Sequence, residues 1–155
     1  MRGWRRAAAS MLALLGLAGS ACAEPVTGPS LRSEIAGNTL SGFNTSGVVF
    51  SEFHAPDGRL FGHNNGEPVV DGCWDLKDDA VCYYYSARRR GNGTFCWRYD
   101  RAGADGYRIA SVETPVTGIA RLEPGNPHGH SDRGQPWVCE GLVSERGAGS
   151  RMATR

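Results

Sequence analysis

Histidine is the first residue type in this 155-residue chain to test for chemistry, and there are four. His54 and His63 flank Ala55-Pro56-Asp57-Gly58. Pro56 presets φ for a type I turn and Gly58 suits the left-handed position of a bulge, so the flanks should pair as a hairpin. That register sets His54 near Leu60 and His63 near Ser51. Side chains alternate across a strand, which puts the two imidazoles on opposite faces and denies them a shared metal. His128 and His130 stand two positions apart in Asn126-Pro127-His128-Gly129-His130-Ser131-Asp132. Two imidazoles and a carboxylate are donor types for Cu(II) or Zn(II). The segment reads as a flexible polar loop without the second shell that a metal site needs. His128 and His130 therefore stand only as metal candidates, and no cofactor is expected.

The second constellation is Arg88-Arg89-Arg90 at a hairpin tip, with Tyr83, Tyr84, Tyr85, Trp97 and Tyr99 on the adjoining strands. Guanidinium forks suit phosphate and carboxylate, and exposed aromatic faces suit sugar rings or stacking. Arg88, Arg89, Arg90, Tyr84 and Trp97 are thus the candidate ligand-binding residues, with an anionic envelope component or another envelope protein as the partner class. Against this, alternating strand aromatics usually form core on one face, and a charged tip usually serves to blunt an edge. The carboxylates Glu52, Asp57, Asp78 and Asp79 read as turn and surface chemistry. The sequence contains no Gly-x-Ser-x-Gly, no His-Glu-x-x-His and no phosphate-binding glycine loop. With no set of nucleophile, base and orienter, an enzyme is not expected and no catalytic residue is assigned.

The compartment follows from the first 23 residues. Arg2, Arg5 and Arg6 precede an apolar run from Ala7 to Ala18, and Ala21-Cys22-Ala23 supplies a small-residue cleavage site before Glu24. The run is too short to cross roughly 30 Å of hydrocarbon, which takes about 20 residues. Residues 1–23 are therefore read as a signal peptide cleaved after Ala23. The mature chain is expected in the periplasm or secreted, with no membrane span. A lipid anchor on Cys22 is disfavoured, because Gly19 stands where a large aliphatic residue is needed. Removing the three leader arginines from the 17 basic residues leaves 14 against 16 acidic ones, a net charge of −2. That is no footprint for nucleic acid.

Cys73, Cys82, Cys96 and Cys139 remain after cleavage. An even count in an exported chain signals disulfides, and no Cys-x-x-Cys pair suggests zinc. Three connectivities are open. Cys82 and Cys96 fall on consecutive predicted strands and can face each other if residues 88–91 turn, although Cys73 and Cys82 are also symmetric, about Lys77-Asp78. The favoured pairing is Cys82–Cys96 with Cys73–Cys139, the second link tying the C-terminal segment to the sheet.

The elements that must position these residues are mostly strands. Residues 24–29, with two prolines, read as an extended lead-in, and Ser30 can cap a short helix through Leu31 and Ile35 that Gly37 and Asn38 close. From Thr39 onward, β-branched and aromatic runs alternate with Gly, Asn, Asp and Pro. Five to seven short antiparallel strands are expected. They give a mainly β fold, a small meander of barrel-like or sandwich form with one N-terminal helix and disulfide staples. The domain should span residues 30–139, with residues 123–136 as loop and 140–155 as a disordered tail.

Over roughly Leu31 to Pro127, the order Ile35, Gly37-Asn38-Thr39-Leu40, Pro56-Asp57-Gly58, Gly72-x-Trp74, Cys82, Cys96 and Gly125-Asn126-Pro127 resembles small exported alphaproteobacterial proteins of unknown function. Their shared frame is a short helix, a Gly-Asn-Thr start, an Asp-Gly hairpin, a Trp strand and two strand cysteines. The resemblance implies a β domain outside the cytoplasm and assigns no ligand. Cys73 fills the middle of Gly-x-Trp here, an added staple with Cys139. The expected role is binding in the periplasm or envelope, to an unknown ligand. The alternatives are a secreted protein–protein effector or hydrolase inhibitor that inserts the loop from Pro124 to Pro136, and a metal-dependent enzyme built on His128 and His130.

Overall fold

Period-two alternation of inward and outward residues builds nearly the whole molecule. The computed structural model describes residues 24–85 and 93–136. In chain order the elements are β1 (Pro25–Val26), α1 (Gly28–Ile35), β2 (Thr39–Asn44), β3 (Val49–His54), β4 (Arg59–Asn64) and β5 (Glu67–Lys77), then β6 (Ala80–Tyr85), β7 (Gly93–Arg101), β8 (Gly106–Ser111) and β9 (Thr117–Glu123). From β2 to β9 each strand pairs antiparallel with the next. The last returns to the first, from Thr39 opposite Glu123 to Asn44 opposite Gly118. The result is an eight-stranded closed up-and-down barrel, the barrel-like form of the expected mainly β class, closed by the pairing of its first and last strands.

The described residues hold nine strands rather than five to seven. The short β1 and the hydroxyl-rich β2 carry little of the apolar signal that marks a strand. In β2, Gly42 is required by closure: a Cβ there would lie 2.0 Å from the Ile119 carbonyl oxygen and 2.9 Å from the Phe50 ring. The hairpin turns are the ones their sequences select. Gly58 takes φ 95° after Pro56-Asp57, and Asp78 and Asp79 take φ 47° and 59°, the paired positive values of a type I′ turn.

One end of the barrel is plugged by α1. Its Leu31 and Ile35, one turn apart, are wholly buried against Leu40, Leu60, Trp74 and Val81, and each fully buried side chain of this kind contributes roughly 1.5–3 kcal/mol. Around the plug, Arg32 lies 5.1 Å over the Trp74 ring and pairs with Asp75, while Glu34 accepts hydrogen bonds from Arg101 and Tyr107. The helix begins earlier than Ser30 predicts: its N-cap is Thr27, with Pro29 in the first turn, where a missing N–H costs nothing. The expected lead-in is also part of the sheet, since Val26 is buried opposite Tyr99 on β7.

Cys82 and Cys96 lie directly opposite each other in the β6–β7 register and are joined by a disulfide. Cys73 is also disulfide-bonded. Its expected partner Cys139 lies outside the described residues, as do residues 1–23, 86–92 and the tail from 140 to 155.

Candidate functional site

Alternation along β3 sends Phe50, Glu52 and His54 into the barrel, and the register carries Leu60 and Asn64 in beside them. His54 is fully buried near the plug. Its Nδ1–H donates to the Glu52 carbonyl at 3.0 Å, so its Nε2 accepts from the Tyr83 hydroxyl, also at 3.0 Å. Tyr83 in turn accepts from Tyr99 at 2.7 Å. Burial pushes the His54 pKa down to about 3 and raises those of Tyr83 and Tyr99, so this chain of groups is neutral. Trp74 closes the layer, donating its indole N–H to the Ala55 carbonyl at 2.9 Å with its ring edge-on to His54.

One layer nearer the open end, Glu52 is 4% exposed and its carboxylate accepts hydrogen bonds from Asn64 at 3.1 Å and Tyr85 at 2.9 Å. Burial first, and then the Glu52 charge, raises the Tyr85 pKa. Above this layer the barrel is open. A narrow space of about 50 Å³ over Glu52 shares Asn64, Tyr85 and Trp97 with a wider mouth of about 680 Å³. The mouth is lined by Phe95, Tyr85 and Trp97 beside Asn44, Asn64, Asn65, Ser111 and Thr114.

The expected arginine and aromatic patch is divided by this arrangement. Trp97, opposite the inward Val81, lines the mouth, whereas Tyr84, next to the inward Tyr83 and opposite Cys73, belongs to the outer face. Strand alternation thus sets Tyr84 and Trp97 on opposite faces of the wall, and Arg88, Arg89 and Arg90 lie outside the described residues. Glu52, read from sequence as surface chemistry, is instead buried at the floor of the mouth. Its position two residues before the inward His54 was the available signal.

A second cluster occupies the outer wall. His63 on β4 faces Ser51, and Ser51 Oγ lies 3.0 Å from both Ser41 Oγ and His130 Nε2. The His130 ring is 5.4 Å from the rings of His63 and His128, and His128 Nε2 is 2.6 Å from a Glu123 carboxylate oxygen. Burial, with His128 and His63 adding to it, lowers the His130 pKa. The loop that brings these groups here is pinned, which corrects its reading as flexible and without a second shell. Gly125 exchanges hydrogen bonds with the side chains of Asn38 and Thr39. The Asn126 side chain bonds both the N–H and the carbonyl of His130, and Asp132 pairs with Arg59. Beside the cluster, exposed Val49, Phe43 and Ile119 form one apolar row across β3, β2 and β9, in a shallow hollow of about 900 Å³.

No family model, no curated protein and no solved structure matches this chain.

Proposed function

We propose that this protein is an exported binding module of the periplasm or envelope that holds a small, hydroxyl-bearing ring compound, such as a sugar, in the mouth of its barrel. The observation that carries this reading is the mouth itself, open at the end opposite the helix and floored by a hydrogen-bonded carboxylate. Small eight-stranded barrels have room for one ligand or for packed side chains, and mouths of barrels are common ligand sites. Aromatic faces beside amides, hydroxyls and a carboxylate are the groups that take the faces and hydroxyls of a sugar ring. The leader-like residues 1–23 support export. No helix among the described residues is long and apolar enough to cross a membrane. The loop from Pro124 to Pro136 lies along the barrel wall rather than standing off it, which favours a ligand binder over an inhibitor that inserts that loop.

Amide and indole NMR spectra of the disulfide-bonded protein, titrated with glucose, N-acetylglucosamine and their anionic relatives, test the reading. Shifts should concentrate at Trp97, Tyr85 and Asn64 and be lost in Trp97→Ala. Shifts confined to the outer wall, around Phe43 and Ile119, would refute it.

A further inference from the structure

We propose that the outer-wall cluster is a transition-metal site in which His63, His128 and His130 are imidazole donors to Cu(II) or Zn(II). The three rings come from two elements that only the fold brings together. The His130 ring centroid is 5.4 Å from each of the other two, close to the roughly 5 Å expected of two imidazoles bonded to one ion at about 2.0–2.1 Å.

The outer groups that orient metal-binding histidines are already in place. Glu123 accepts from His128 Nε2–H, the carboxylate–imidazole pairing that fixes a tautomer and leaves the Nδ1 lone pair for a metal. Ser51 Oγ lies 3.0 Å from His130 Nε2, and where the ring donates to it Nδ1 is left for a metal in the same way. The Asn126 side chain brackets the His130 backbone, so the loop holds these rings at the barrel wall before any ion arrives.

Among the described residues no three His, Cys, Asp or Glu side chains converge on one point as they stand. Binding therefore requires side-chain movement, for which the exposed His63 has room, and the exposure of His63 and His128 gives the ion its route in. Imidazole donors suit Cu(II) and Zn(II), with Cu(II) bound the more tightly. The fourth histidine takes no part, because both His54 nitrogens are bonded inside the barrel.

The test is titration of the disulfide-bonded full chain with Cu(II) and, separately, Zn(II), followed by calorimetry and, for copper, electron paramagnetic resonance. One equivalent of each metal should bind, with hyperfine coupling to three nitrogens in the copper spectrum. His63→Ala and His128→Ala should each weaken binding by roughly tenfold or more, and Glu123→Gln by less, with near-ultraviolet circular dichroism unchanged. Trp97→Ala, which disables the barrel mouth, should leave metal binding as it was, so failure of either site is distinguishable from failure of the other. Binding in His63→Ala as tight as in the parent chain, or the absence of a one-equivalent step, would overturn the proposal.

Discussion

The two ends of the barrel handle polar groups in opposite ways. At the helix end, His54, Tyr83, Tyr99 and the Trp74 indole are buried and joined through neutral hydrogen bonds under a lid of Leu31 and Ile35. At the far end, amides, hydroxyls and aromatic edges face an open space, and Phe95 is 43% exposed. One short amphipathic helix makes this difference: it turns a closed tube into a cup, dry at the base and wet at the rim. A buried polar group must be bonded or it is costly, whereas a rim group can exchange its water for a ligand. The base therefore carries stability and leaves the rim free to vary.

The largest expected effect is at the base. Trp74→Ala should lower stability by about 3–5 kcal/mol, since it opens a cavity and strips the Ala55 carbonyl of its donor. Urea unfolding with disulfides intact measures it, and a loss below 1 kcal/mol would mean that the base is not the stabilising layer.

The β6–β7 staple comes next. Replacing Cys82 and Cys96 together by Ala frees a loop with a sequence separation of 14, and chain entropy predicts a loss of about 3 kcal/mol. The loss should appear as a lower unfolding midpoint together with a steeper denaturant slope, since the uncrosslinked unfolded chain exposes more surface.

Acid should act through the base as well. The His54 pKa is about 3 in the fold against 6.5 unfolded, so below pH 6.5 the unfolded chain binds a proton that the folded chain refuses. The stability contributed by the neutral ring is complete above pH 6.5 and declines as pH falls toward 3, by ~1.4 kcal/mol per pH unit. His54→Gln should flatten that slope between pH 6 and 4. An equal slope in the parent and the variant would place the acid sensitivity elsewhere.

The smallest effect belongs to the rim, where Phe95→Ser should change stability by no more than about 0.5 kcal/mol. A large loss there would dissolve the contrast between the two ends.

Local chemistry made part of this legible in advance. Pro56-Asp57-Gly58 sets a turn whose register then places His54 opposite Leu60 and His63 opposite Ser51, on opposite faces, as found. The alternation of Tyr83, Tyr84 and Tyr85 likewise determines which rings can share a face, and it separates Tyr84 from Trp97. The outer cluster was not legible, because Ser51 and His130 are 79 positions apart.

By itself, then, the sequence determined the mainly β class, the Pro56-Asp57-Gly58 turn and the faces of His54 and His63, and it favoured the cysteine pair across β6 and β7, because these depend on φ preferences and on a period of two within a few residues. Only the tertiary structure decided that β9 returns to β2, that Glu52 becomes the floor of an open cup and that three histidines meet on one wall. Those outcomes depend on where a curved sheet closes and on what a helix plugs, and closure is settled by packing among residues far apart in the chain.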